Sequence, residues 1–184
     1  MSNEGTFSGL YGAPDLTTTE LADELVGGTR STGPRRMEAA GEVGIPQVVS
    51  AGALDMVNFG PPDTVPDKLK DSRFYRHNPS ATLMRTMPEE NAQLGKMVAA
   101  MLNRATGPTR FVMPLKGVSA IDCGGQPFDD PGADAVFLQS LKHSQSAHVG
   151  LTEMNAHIND PAFADECVTL LLSLIPRECE RSGH

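Results

Sequence analysis

The sequence predicts an α/β layer fold with a mostly parallel sheet. Short apolar runs alternate with stretches carrying a helical stripe of apolar residues, the pattern of strands joined through helices. Two of the strand-to-helix passages share one construction. Asp130-Pro131 and Asp160-Pro161 each place a carboxylate at a helix N-cap before a proline at the first helical position. Between the run Arg110-Phe-Val-Met-Pro-Leu115 and the helix expected over 133–142 lies a long polar loop holding Gly117, Gly124, Gly125 and Gly132. A loop of that length between a strand and a helix marks a place where something binds.

Taken in order, Phe7 to Tyr11 reads as a first short strand. Thr17 is expected to cap the next helix, because Glu20 stands three residues on at capping-box spacing. Leu21, Ala22 and Leu25 form its apolar stripe, and Gly27-Gly28 ends it. A second helix is expected over 34–42, with Met37, Ala40 and Val43 on one side, and a strand over 45–50. Residues 51–71, rich in Gly, Pro and Asp, read as irregular, followed by a short strand over 73–76. Thr86 and Glu89 repeat the capping-box spacing, with Pro88 in the first turn. That helix runs to Arg104 with Leu94, Met97, Val98, Met101 and Leu102 inward, and Gly107-Pro108 breaks it. Strands over 110–115 and 148–154 follow. The last helix starts at Pro161 and buries Phe163, Cys167, Val168, Leu171, Leu172 and Ile175.

At 184 residues the chain is expected to form one domain, 1–184, with 1–6 and 177–184 flexible. Its charge of −8 and the lack of any basic run beyond Arg35-Arg36 argue against nucleic-acid binding, which needs a basic face. No apolar run approaches the roughly 20 residues that span a bilayer, and the first residues lack a signal pattern, so no membrane partner is expected. Three cysteines, Cys123, Cys167 and Cys179, with no CxxC spacing fit a reducing compartment and a cytoplasmic protein, and point to no metal cluster.

In an open parallel sheet, ligands bind beyond the carboxyl ends of the strands. Four polar loops qualify: 12–19, 50–58, 117–130 and 155–160. They bring forward Thr17, Thr18, Ser50, Asp55, Asn58, Ser119, Asp122, His157 and Asn159 as ligand-binding candidates, with Arg85 as a partner for a phosphate or carboxylate. The helix N-termini on that edge offer N–H groups to an anion. Each candidate has a plainer role open to it. Ser119 and Asp122 suit turn hydrogen bonds, Asp130 and Asp160 suit caps, and Arg85 suits a surface ion pair. His157 could serve as a base only with a partner within hydrogen-bond reach; His77 is a weaker case of the same kind. Cys123 lies in the loop with nothing nearby in sequence to activate it. No Walker loop, GxGxxG, GxSxG or HExxH is present.

Asp15-Leu-Thr-Thr-Thr-Glu-Leu-Ala-Asp-Glu-Leu25, Pro46-Gln-Val-Val-Ser-Ala-Gly-Ala-Leu-Asp-Met-Val-Asn-Phe-Gly60, Gly117-Val-Ser-Ala-Ile-Asp122, Gln126-Pro-Phe-Asp-Asp-Pro131 and His157-Ile-Asn-Asp-Pro-Ala-Phe-Ala164 resemble the family of the tomato mosaic virus resistance protein, over about 15–175. The resemblance implies a Rossmann-like three-layer α/β fold, dimerisation and an ATP site in the family's first half. It also implies a truncated fold, since the chain resembles the latter part of the second half only. The family's Gly-Thr-x-Asp-Thr-Lys-type and Gly-Gly-x-Gly-Gly-type loops do not occur in this sequence, so no cofactor is assigned and ATP rests on the resemblance alone. A homodimer, or a partner chain supplying the missing half, is expected from the same resemblance.

Two functions stay open. One is a non-catalytic ligand-binding or interaction module for a small anionic ligand or nucleotide at the sheet edge. The other is an enzyme, or enzyme subunit, acting on a small carbonyl, carboxylate or phosphate substrate, with Ser119, Asp122 and His157 in its pocket.

Overall fold

The structure is a computed structural model and describes residues 11–176. Strands β1 (Ala13–Thr17), β2 (Gln47–Gly52), β6 (Thr109–Pro114) and β7 (Val149–Met154) form one sheet in the order β1-β2-β6-β7. All three pairings are parallel. A second sheet, antiparallel, has the order β3-β5-β4, from β3 (Met56–Phe59), β4 (Phe74–Asn78) and β5 (Ala81–Arg85). Helices α1 (Thr19–Val26), α2 (Glu38–Val43), α3 (Pro88–Leu102), α4 (Pro131–Ser144) and α5 (Pro161–Leu174) complete the fold.

The parallel sheet separates two cores, and the two-residue period of its strands divides their side chains. Val49, Phe111 and Met113 face the larger core with Leu21 of α1, Leu94 and Val98 of α3, and Phe137 and Leu141 of α4. Their neighbours Val48 and Val112 face the smaller core with Phe163 and Cys167 of α5. Every residue of β2 is buried, as befits a central strand covered on both faces. Helices α3 and α4 cross closely at Gly95, where a Cβ would stand 2.6 Å from the Phe137 carbonyl oxygen.

Local structure departs from expectation in several places. The edge strand begins at Ala13, not before it, and the expected strand at Phe7 to Tyr11 falls, apart from Tyr11, outside the described residues. Thr18, not Thr17, precedes α1, and its hydroxyl donates to the Ser50 carbonyl instead of capping the helix. Gly27 does end α1, in the left-handed region. Helix α2 starts four residues later than expected, at Glu38, and Val43 is exposed. The α3 cap lies one residue on: Glu90 accepts from the Met87 N–H at 2.7 Å. Residues 51–71 hold β3 and two short 3-10 turns, and β5 follows β4 as a hairpin.

On α5, Val168 and Leu172 are exposed while Phe163 and Cys167 are buried. The helix lies on a single sheet face, so only one stripe of it is covered.

A buried carboxylate, Asp23, fastens α1 to the antiparallel sheet. It accepts from the Asn58 N–H at 2.6 Å and the Arg30 N–H at 2.7 Å. Burial nevertheless raises its pKa, the two backbone donors working against the shift.

Candidate functional site

The long loop after β6 is shaped by Gly117. Its φ of +119° is left-handed territory, and a Cβ there would stand 1.6 Å from the Asp122 carbonyl oxygen. The chain therefore doubles back on itself, with the Asp122 N–H donating to the Ser119 carbonyl and the Asp122 carboxylate accepting from the Val118 N–H at 3.0 Å. Neighbouring loops are tied to it through the backbone. Ala53 N–H donates to the Val118 carbonyl, and Ile158 N–H to the Gly117 carbonyl. The loops after β2, β6 and β7 thus meet at one edge, as the parallel topology requires.

His157 joins two of these loops. Its Nε2 lies 2.9 Å from the Ser119 carbonyl oxygen and its Nδ1 accepts from the Asn159 N–H at 3.1 Å. A carbonyl takes a donor and an N–H takes an acceptor, so this geometry matches a proton on Nε2. Both nitrogens are occupied by backbone, which makes this histidine a loop brace.

Below the loops sits a charged cluster. Arg85, at the end of β5, is 1 % exposed. Its Nε donates to the Phe128 carbonyl at 2.9 Å and its Nη1 to Thr86 Oγ1 at 3.0 Å. Nη2 meets Asp134 at 2.6 Å and Asp122 at 3.4 Å. Asp55, at the β2–β3 turn, receives a 2.7 Å hydrogen bond from the Ser119 hydroxyl on Oδ2, while its buried Oδ1 has no partner. Burial, with Asp122 and Asp134 adding like charge, pushes the Asp55 carboxyl up to about 7 against the opposing pull of Ser119 and Arg85. Burial also raises Asp134, to about 6; Arg85 pulls it down and Asp122 pushes it up. A void of about 10 Å³, lined by both Asp55 and Asp134, lies behind the cluster.

Above the cluster opens a pocket of about 820 Å³, lined by Lys116, Asp122, Cys123, Asp134, Leu138, His157 and Asp160 among others. The β6–α4 loop, the first turns of α4 and the β7–α5 loop form its walls. The N-terminus of α4 already holds acids of its own: Asp130 caps it, accepting from the Ala133 N–H at 3.1 Å, and Asp134 lies in the first turn. The Asp160 carboxylate accepts from the His157 N–H at 2.8 Å and makes no side-chain cap to α5.

Of the residues singled out from sequence, Asp55, Arg85, Ser119, Asp122, His157 and Asn159 come together here. Arg85 is buried rather than forming a surface pair. Of these six, Asp122 and His157 line the pocket, and the other candidates stand apart from the cluster. Thr18 and Ser50 are buried, Ser50 donating to the Val112 carbonyl. Asn58 binds Thr19 and Asp23, and Thr17 is exposed at the end of β1. Asp134 and Lys116 were not singled out. Asp134 stands four residues after the capping Asp130, on the same side of a helix start that faces the loop, and that spacing was the available signal. Among the described residues no three His, Cys, Asp or Glu side chains stand close enough to hold a metal ion, and no helix is long and apolar enough to cross a membrane.

Fold and pocket define an α/β domain with a parallel sheet and a cleft at its carboxyl edge. Residues 2–175 match the family model described as the C-terminal domain of uncharacterised protein family UPF0261, and the chain belongs to that family. It is 47 % identical over 169 residues to a UPF0261 protein of Clostridium tetani, covering 91 % of this chain and 42 % of that protein. A UPF0261 protein of Rhizobium meliloti is 43 % identical, over 91 % of this chain and 42 % of its own length. The ToMV resistance protein Tm-1(GCR237) of Solanum lycopersicum is 37 % identical over 177 residues, 93 % of this chain and 24 % of that protein. The chain thus spans less than half the length of these relatives.

Proposed function

We propose that this domain is a ligand-binding module, and that the pocket between the β6–α4 and β7–α5 loops takes a small polar molecule. The observation that carries this reading is the charged floor. Asp134 lines the cavity while Arg85 holds it from beneath at 2.6 Å, so a polar group is presented in a fixed position to an open cleft. An anionic group, as the helix N-termini suggested, has Lys116 as its cationic partner; the remaining lining favours hydrogen-bond donors, since Asp122, Asp129, Asp134 and Asp160 all contribute to it.

A thermal-shift screen of nucleotides, organic acids, amines and polyols tests the reading. Compounds that raise the melting temperature of the native chain and lose their effect in Asp134→Asn support it. Equal shifts in both proteins would place binding elsewhere.

One observation favours an enzymatic reading as the second choice. A carboxyl raised to about 6 at the floor of a cleft is poised for general acid–base work on a small carbonyl or carboxylate substrate. Turnover of a screening hit, with a rate inflecting near that pH, distinguishes it from simple binding.

Self-association is also proposed, because Val168 and Leu172, four residues apart on α5, leave an apolar stripe in solvent. Sedimentation velocity on Leu172→Glu tests it; a dimer that persists unchanged would refute that face. ATP binding, a partner half and the activities of the longer relatives are proposals for this chain in the same sense, and nothing in the pocket lining is built from a phosphate-binding loop. The acidic balance of −8 speaks against a nucleic-acid partner.

A further inference from the structure

We propose that the pocket is selective for a small molecule bearing an ammonium group, with the ammonium seated on Asp134 and an apolar body against Leu138 and Met113. The inference rests on the pocket reading above and supplies its ligand class.

The argument begins with buried charge. Two carboxylates, those of Asp122 and Asp134, contact the guanidinium of Arg85, and the carboxylate of Asp55 lies within its field. That guanidinium is committed on every nitrogen: to Phe128, to Thr86, and to the two aspartates. Two carboxylates are left without a matching cation, and buried charges of that kind are held only when neutralised or paired. The first answer of the protein is to keep protons. Burial raises both Asp55 and Asp134 in the direction of the neutral acid. The second answer is a cation brought by a ligand.

Geometry says where that cation would go. Asp55 Oδ1 is buried and unpartnered, facing a void that Asp134 also lines. The void is about the size of one water molecule, too small to seat a ligand. Asp134, by contrast, retains a fifth of its side-chain surface and lines the open pocket. An ammonium there would meet a carboxylate that shares the one guanidinium with Asp122. Around it the rim adds Asp160 from the β7–α5 loop and Asp129 from the β6–α4 loop, against one cation, Lys116. His157 faces the same space, but both of its ring nitrogens are taken up by backbone partners. Met113, Ala135 and Leu138 give the remaining wall an apolar character. A carboxylate or phosphate placed at the same point would meet the acids without a free donor, because Arg85 has none left.

Proton linkage follows. An ammonium binds the ionised Asp134, so affinity is full above a pH of about 6 and falls toward one order of magnitude per pH unit below it.

The test is an NMR titration of the 184-residue chain with three near-isosteric probes: phenethylamine, 2-phenylethanol and 3-phenylpropionate. At pH 7.5 the amine is expected to bind at least tenfold more tightly than the alcohol, moving the amides of Asp134, Ala135 and Lys116, while the propionate binds weakest. Asp134→Asn keeps an oxygen for Arg85 and is expected to bring the amine down to the affinity of the alcohol. Its melting temperature checks that it folds. Lys116→Gln, which removes the one rim cation, is expected to leave amine affinity unchanged or raise it. If the alcohol or the propionate equals the amine, or if Asp134→Asn binds the amine as before, the inference fails while the pocket reading stands. If nucleotides, polyols and all three probes leave the lining amides unmoved at millimolar concentration, both fall.

Discussion

Arg85 at the end of β5 and Asp134 in the first turn of α4 meet at 2.6 Å, and through this contact the small antiparallel sheet holds up the floor of the pocket. The two residues are 49 apart in sequence. Their pairing fastens the antiparallel hairpin to the helix that follows the long loop, so the loop is braced from below by a side chain from the other sheet.

Removing the guanidinium leaves Asp122 and Asp134 without their cation. Arg85→Met is expected to cost about 3–5 kcal/mol, the usual range for breaking a buried pair from one side. Arg85→Lys recovers little of it, since an ammonium cannot reach Phe128, Thr86 and both aspartates together. Adding Asp134→Asn to Arg85→Met should return part of the loss. Urea unfolding measures all three; a loss below 1 kcal/mol for the methionine variant would show that the cluster is not under charge strain.

Asp55 sets a pH dependence. Its folded-state carboxyl is raised to about 7, above the ordinary value of about 3.9, so the folded chain binds more protons than the unfolded chain across that interval. Stability contributed by this group is full at low pH and declines as the pH rises from about 4 to about 7, then levels off. Asp134 acts in the same direction up to about 6. Asp55→Asn cannot ionise, so its unfolding free energy should fall less steeply over this window than that of the native chain. Identical slopes in denaturant titrations at pH 4.5, 6 and 7.5 would contradict the assignment.

The loop predicts a contrast between two glycines. Gly117→Ala must relieve both a left-handed φ and a backbone clash with Asp122, at a cost of at least about 2 kcal/mol, and should abolish ligand-induced shifts. Gly124→Ala meets nothing within 4 Å and has an ordinary φ, so it should be neutral. Thermal melts of the pair check this; equal behaviour would mean the loop does not depend on its doubled-back geometry.

Loss of the histidine brace should be local. His157→Ala frees the Asn159 N–H and the Ser119 carbonyl, for about 1–3 kcal/mol. Hydrogen exchange should quicken at Asn159 and in 117–122 while β2 and β6 stay protected. Uniform acceleration across the sheet would indicate a core role instead.

Much of this architecture was legible in the sequence. Runs buried on both faces, such as Gln47–Gly52 and Thr109–Pro114, are apolar enough to announce parallel strands, and Asp-Pro pairs mark where α4 and α5 begin. Legibility failed where tertiary contacts overrode local signals. Thr18 gives its hydroxyl to β2 rather than to its own helix, and cap spacing misplaced the start of α1 by one residue. Strand β3 lies in a region dense with Gly, Pro and Asp, where its place is fixed by pairing with β5 and not by composition. At the candidate site, glycine density and polarity pointed to the β6–α4 loop, which lines the pocket. The role of Arg85 was hidden because burial of a charged side chain depends on partners distant in sequence. Asp134 was hidden because an acid in a first helical turn looks like an ordinary response to the helix dipole.

Transfer of compound-induced amide shifts onto the structure is the most direct measurement of the central claim. With the strongest hit from the thermal screen, the native chain should show its largest changes at Lys116, Gly117, Asp134, Ala135 and His157, and Asp134→Asn should lose them. Changes centred on α2, α5 or the antiparallel sheet, unaltered by that substitution, would show that the pocket at the carboxyl edge is not where this domain binds.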